Sequence, residues 1–263
     1  MAGRAIWKGV ITFGVVTVPV KLYTALEPQR VSFHLLHDQD QERLRQEMVC
    51  PVEEKPVERE EIVKGYEVDR NEYVVVEPEE IDEVEPEASR AIEVRQFVDP
   101  GEIDPRYWDR PYFLGPDGDA GAVATLAAAL REEDLAGICQ WVMRKRSYLG
   151  ALRLVGPTLC LMTMHYATEI VPVASLELPA AKVDARELKV ADYLIETLSA
   201  EWDPSQYVNE YDDRVRELVA AKARGEKVKV VRPRRPRTTR SNKLLETLEA
   251  SVAAAKKKRK QHA

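Results

Sequence analysis

Residues 4–23 read Arg4-Ala-Ile-Trp-Lys-Gly-Val-Ile-Thr-Phe-Gly-Val-Val-Thr-Val-Pro-Val-Lys-Leu-Tyr23, and this stretch decides the fold class. β-Branched and aromatic residues dominate it, the composition of a pleated, half-buried surface. Gly14 divides it into two runs, Ile6 to Phe13 and Val15 to Tyr23, and marks a bend or bulge between them. The pattern continues outward. Val31 to Leu36 is another run, followed by a polar strand-like stretch from Glu42 to Val49. Tyr66 to Val68 and Tyr73 to Val76 flank Asp69-Arg-Asn-Glu72, a hairpin signal. Ala91 to Val98, Pro111 to Leu114, Ile138 to Met143, Tyr148 to Val155 and Thr158 to Met164 complete the series, the last three divided by Arg144-Lys-Arg146 and Gly156-Pro157. Many short strands with closely spaced turns predict an antiparallel sheet closed into a barrel.

Helices interrupt and follow the strands, so the class is mainly β with α. Pro78 to Val84 reads as a short helix with proline at its start, and an Ala-rich helix from about 120 to 132 takes Asp117 or Asp119 as its cap. After Pro179 the period changes. Leu188, Ala191, Ile195 and Leu198 recur at helical spacing, as do Val208, Tyr211, Val215, Leu218 and Lys222, with Asp203-Pro204 between as a cap and first-turn proline. From Gly225 the chain is polar, basic and broken by proline, the composition of a disordered tail. Within it, Leu244, Leu245, Leu248 and Val252 line one face of a short helix between Ser241 and Val252.

The formal charge of −6 conceals two opposite parts. Residues 226–263 carry 13 Lys and Arg against three Glu, a net +10, which leaves −16 on the preceding 225 residues. A folded acidic body with a basic arm fits this asymmetry, and the overall charge does not argue against nucleic acid. No apolar stretch approaches the ~20 residues of a membrane-spanning helix, and the N-terminus shows no leader pattern. Three dispersed cysteines, Cys50, Cys139 and Cys160, give no disulfide framework and point to a reducing compartment, so the expected location is cytoplasmic.

The strand residues resemble the bacterial Ku family, whose members bind broken DNA ends in non-homologous end joining. The resemblance is carried by Arg4 to Tyr23, Ser32-Phe-His-Leu-Leu-His37, Ile62-Val-Lys-Gly-Tyr-Glu67, Glu102-Ile-Asp-Pro-Arg-Tyr-Trp108, Arg110-Pro-Tyr-Phe-Leu114 and Trp202-Asp-Pro-Ser-Gln-Tyr207, in the family's order over roughly residues 3–225. It implies a Ku-type β-barrel core over 1–180 with a strand-built bridge at about 41–66. A helical C-terminal arm over 181–225 and a basic, largely disordered tail over 226–263 complete the expected layout. It implies a ring-shaped homodimer around double-stranded DNA, associated with the nucleoid, that recruits and stimulates a multifunctional ATP-dependent DNA ligase through the arm. The family's frequent glycine before Lys55 is Glu54 here, and the second cysteine of some members, three residues after Cys50, is Glu53.

Candidate phosphate contacts follow from charge and position. Arg144-Lys145-Arg146 sits at a bend between apolar strands and resembles part of the family's DNA-facing surface; on residues alone a solvated hairpin end explains it equally well. Arg43 and Arg45 alternate with Leu44 and share a strand face. Lys64, Lys21 and Lys8 are weaker candidates. In the tail, Arg232, Arg234, Arg235 and Arg237 and the run Lys256, Lys257, Lys258, Arg259 and Lys260 supply non-specific phosphate binding.

Catalytic patterns are sparse, and the sequence calls for no cofactor or metal. His34 and His37, three apart on an expected strand, face opposite ways, one half-buried and one exposed. Cys139 and Cys160 read as core residues. Two rival readings stay open: a metal-dependent nuclease using Asp117, Glu187 and Lys189, and a general nucleoid- or RNA-binding protein acting through the tail alone.

Overall fold

The computed structural model describes residues 4–86, 89–177, 179, 182–226 and 243–261, with 256–261 as backbone only. The chain forms two compact units, Met1–Gln29 with His34–Ser175, and Arg30–Phe33 with Leu176–Ala263.

The first unit opens with the stretch quoted above. β1 (Trp7–Phe13) and β2 (Val16–Thr24) pair antiparallel from Trp7 against Leu22 to Phe13 against Val16. A two-residue turn joins them, and its first residue, Gly14, has a φ of +56°, in the left-handed region that favours glycine. The chain then leaves the barrel through β3 (Val49–Cys50), β4 (Lys55–Pro56), β5 (Lys64–Asp69), β6 (Glu72–Val76) and α1 (Pro78–Val84). It returns as β7 (Ala91–Val98), β8 (Trp108–Pro116), α2 (Ala120–Glu133), β9 (Ala136–Met143), β10 (Arg146–Val155) and β11 (Thr158–Met164).

Seven strands close the barrel in the order β1-β2-β8-β11-β10-β9-β7. The expectation of a closed barrel holds, with one departure from a wholly antiparallel sheet. β1 and β7 run parallel over Val10 to Thr12 against Ala91 to Glu93. Neighbours that are all antiparallel must alternate in direction around a ring, which requires an even number of strands. Seven strands therefore impose one parallel seam.

Alternation along the strands builds the core. Ile11, Val20, Leu22, Ile92, Leu152 and Leu161 are fully buried, and Cys139 and Cys160 lie among them as expected. α2 is capped by Asp119, which accepts from the Gly121 amide at 2.8 Å. It buries Val123, Leu126, Ala127 and Leu130, the i, i+3, i+4, i+7 stripe of a surface helix, and these join the same cluster. Each fully buried Leu or Ile contributes about 1.5–3 kcal/mol relative to exposure, so the barrel and α2 hold most of this unit's apolar stabilisation.

The segment between β2 and β7 departs most from expectation. The runs Val31 to Leu36 and Glu42 to Val49 do not form ladder strands. They meet only at an isolated bridge between Leu36 and Arg43, supported by the Leu44 amide donating to the Leu35 carbonyl at 3.0 Å. Among the described residues no third strand lies alongside, so periodicity alone builds no sheet here. His34 and His37 are both exposed rather than divided between two strand faces, and His37 Nδ1 lies 2.8 Å from Asp40. The β3–β4 turn forms without glycine: Glu54 takes a φ of +56° and its amide donates to the Cys50 carbonyl at 2.8 Å.

In the second unit α3 (Ala185–Leu198) packs beside α5 (Leu244–Gln261), and α4 (Glu210–Ala223) follows a short 3-10 turn. Asp184 caps α3. Asp203 caps the 3-10 turn Pro204–Gln206, whereas the α4 cap is Asn209, so the Asp203-Pro204 signal marks the turn and not the helix. The helix expected between 241 and 252 is α5, which runs on through the basic stretch.

Candidate nucleic-acid interface

The basic cluster of Arg144 to Arg146 lies where β9 turns into β10. Met143 pairs with Arg146, so Arg144 and Lys145 are the two central residues of the turn, with φ of +52° and +65°. Two positive φ angles are what a tight hairpin turn matching the strand twist requires, and Asn-Gly usually supplies them. Two long basic residues there cost about 1–2 kcal/mol each in backbone strain. All three bases are exposed, and the bend lets them diverge.

Local partners divide the candidate bases into two sets. Lys145 Nζ lies 2.7 Å from Asp82 of α1 and 2.9 Å from Glu85 at its end, and these carboxylates raise its pKa. In turn Lys145 lowers that of Asp82, with Lys64 adding a weaker pull. The structure thus brings Lys64, at the start of β5, into one neighbourhood with the β9–β10 turn. Lys8 and Lys21 stand opposite each other on β1 and β2 and both reach Asp117, at 3.9 and 2.7 Å. The Lys21 bond holds the Asp117 carboxyl below its ordinary range. Among the described residues Arg43, Arg45, Lys64, Arg144 and Arg146 are in no salt bridge, and all five are exposed.

Sequence reasoning missed Asp82, Glu85 and Asp117 as partners of three of these lysines. The capping box Glu77–Glu80 marks α1, but a contact made across 63 residues leaves no local trace. The tail candidates Arg232, Arg234, Arg235 and Arg237 lie outside the described residues. Lys256 to Lys260 lie on α5, described there by backbone alone.

The nuclease constellation gains no geometry. Asp117 is committed to two ammonium groups in the first unit, and Glu187 and Lys189 belong to α3 of the second. Among the described residues no group of three or more His, Cys, Asp or Glu is placed to hold a metal ion. Nor is any described helix long and apolar enough to cross a membrane.

The segment that carries Arg43, Arg45 and Lys64 is also unusual for what it leaves uncovered. Leu35, Met48 and Val52 are 66%, 68% and 88% exposed, and Leu44, Val49 and Val63 are exposed as well. Among the described residues β3 pairs only with β4, and β5 only with β6.

Comparison with known proteins bears on this arrangement. Residues 12–190 match the family model of the Ku70/Ku80 beta-barrel domain. Over 252 residues the chain is 45% identical to non-homologous end joining protein Ku 2 of Geotalea uraniireducens (strain Rf4), covering 96% of this chain and 98% of that one. It is 40% identical over 262 residues to non-homologous end joining protein Ku of Anaeromyxobacter sp. (strain K), covering 98% and 88%. To the protein of the same name from Heliobacterium modesticaldum it is 38% identical over 267 residues, covering 100% and 96%. The barrel from the end of β1 through β11 falls within the matched residues and the alignments run along nearly the whole of each chain: the protein belongs to the Ku family.

Proposed function

We propose that this chain binds double-stranded DNA ends without regard to sequence, as a ring-shaped homodimer in non-homologous end joining. It acts as a non-enzymatic repair scaffold at the nucleoid in the cytoplasm. The observation that carries this reading is the excursion between β2 and β7, which sets exposed apolar side chains beside unpaired bases. A large uncovered apolar surface on an otherwise packed unit marks an interaction site. A second copy covers the Leu35, Met48 and Val52 side chains, and the bases left between the two copies meet phosphate. Backbone contacts of this kind carry no sequence information, and their affinity comes from counterions released by DNA. End selectivity then comes from threading, because a closed ring passes only over a free end.

The arm over 181–225 is the docking surface for the ligase. Trp202 and Tyr207 stack at 5.0 Å yet are 74% and 71% exposed, and large aromatic anchors of this sort dominate protein interfaces.

Competing linear against covalently closed circular DNA of one sequence tests the ring, using a chain truncated after Gly225 so that the tail takes no part. The linear form is expected to win clearly, and equal binding refutes threading. Sedimentation of the same chain is expected to give a dimer.

A further inference from the structure

We propose that α1 is a built-in counter-charge for the β9–β10 turn: Asp82 and Glu85 occupy the Lys145 ammonium in the free protein, and duplex binding exchanges those carboxylates for DNA phosphates. The inference rests on reading Arg144 to Arg146 as phosphate contacts.

Geometry fixes the pairing from both sides. α1 starts at a proline, and in its first turn the Glu77 amide donates to Glu80 Oε2 at 2.9 Å. Asp82 and Glu85 lie one helical turn further on and converge on one nitrogen, at 2.7 and 2.9 Å. Opposite them the hairpin holds Lys145 at a φ of +65°, a position where a small residue is cheaper. Arg144 and Arg146, on either side, are left free of ion pairs.

The exchange is energetically accessible at Asp82, because the Lys145 and Asp82 side chains are each more than half exposed, while Glu85, 21% exposed, is the more firmly held of the two carboxylates. Exposed ion pairs are weak, and a duplex with one charge per ~1.7 Å of axis displaces them. The counter-charge also alters the salt response. When Lys145 neutralises a phosphate, DNA releases cations; the freed Asp82 and Glu85 then collect cations of their own. Net release is smaller than the number of phosphate contacts, so the native protein loses affinity with salt less steeply than its contacts alone require.

Titrating a labelled duplex into native protein and into the double variant Asp82→Asn/Glu85→Gln, across a range of salt, tests this. The variant is expected to bind roughly two- to ten-fold more tightly at low salt. Its log–log salt slope is expected to be steeper by up to about one, with the two curves converging at high salt. Removing any two acids also lessens general repulsion, so two controls are needed. Glu79→Gln/Glu83→Gln removes the same charge from α1 without touching Lys145 and is expected to give a smaller gain and no change of slope. Adding Lys145→Gln to the Asp82→Asn/Glu85→Gln variant is expected to abolish the gain. An unchanged slope, or a gain that survives without Lys145, overturns the proposal. Arg144→Gln/Arg146→Gln separates the two readings. If it leaves affinity intact, the turn does not face DNA and the counter-charge falls with it. If it weakens binding while Asp82→Asn/Glu85→Gln changes nothing, the counter-charge alone is wrong. Matching thermal melts show that each variant is folded.

Discussion

Cys139 and Cys160 sit in the barrel wall, where burial pushes the first thiol up to about 12 and raises the second. Cys50 moves the other way, because the backbone amides of Glu53 and Val52 lower its pKa. The thiolate is the nucleophile, so at mildly alkaline pH iodoacetamide is expected to label Cys50 alone in the native protein. Intact mass should show one adduct before denaturation and three after, and early modification of Cys139 would contradict the structure. The rate at Cys50 should reach half its maximum at a pH below that of an ordinary thiol. The two core cysteines were legible because their neighbours are apolar runs. The character of Cys50 was not, because it depends on a turn in which Glu54 adopts a backbone conformation its residue type does not announce.

At the scale of the element, β10 shows how closely the barrel wall is packed. A Cβ added at Gly150 would lie 2.5 Å from the Met162 carbonyl of β11 and 2.6 Å from the Trp141 ring, which stacks on Tyr148. Neither strand has room to retreat, so Gly150→Ala is expected to cost about 1–3 kcal/mol in urea-unfolding measurements. Gly14 differs, because nothing lies within 4 Å and only its φ of +56° opposes a side chain. Gly14→Ala should therefore cost less, about 1–2 kcal/mol. If the two variants are equally stable, close approach is not what fixes Gly150. The barrel strands could be read from sequence because each buries one face and so alternates. Within the excursion after β2 the β5–β6 hairpin and α1 were legible from their turn and first-turn proline, whereas residues 31–49 were not, since their side chains are mostly uncovered on the single chain and carry no period to read.

Across the whole molecule, the position of charge matters more than its sum. The first 225 residues are net −16, yet Arg43, Arg45, Lys64, Arg144 and Arg146 stand exposed and free of salt bridges among the described residues, the first three on the segment that carries the uncovered apolar side chains. The remaining +10 belongs to the last 38 residues, of which the 18 of α5 are helical, and their bases can hold flanking duplex. Truncation after Gly225 is expected to weaken duplex binding and to flatten its salt slope, because fewer phosphates are neutralised. An unchanged slope would remove the tail from the interface. Residues 53–93 are rich in acids, which the sequence records as charge alone. That two of these acids hold Lys145 depends on tertiary contact, which composition does not record.

The parallel seam between β1 and β7 sets an order of assembly. During synthesis the β1–β2 hairpin emerges first, but β1 has no second neighbour until Ala91 to Glu93 arrive, after the whole excursion has been made. An unpaired apolar edge is a site for wrong pairing between chains, and contacts this distant along the chain form slowly. Both strands of the first hairpin thus wait for partners made after the excursion, β1 for β7 and β2 for β8, which makes nascent chains cut short within the excursion the most aggregation-prone form of this protein.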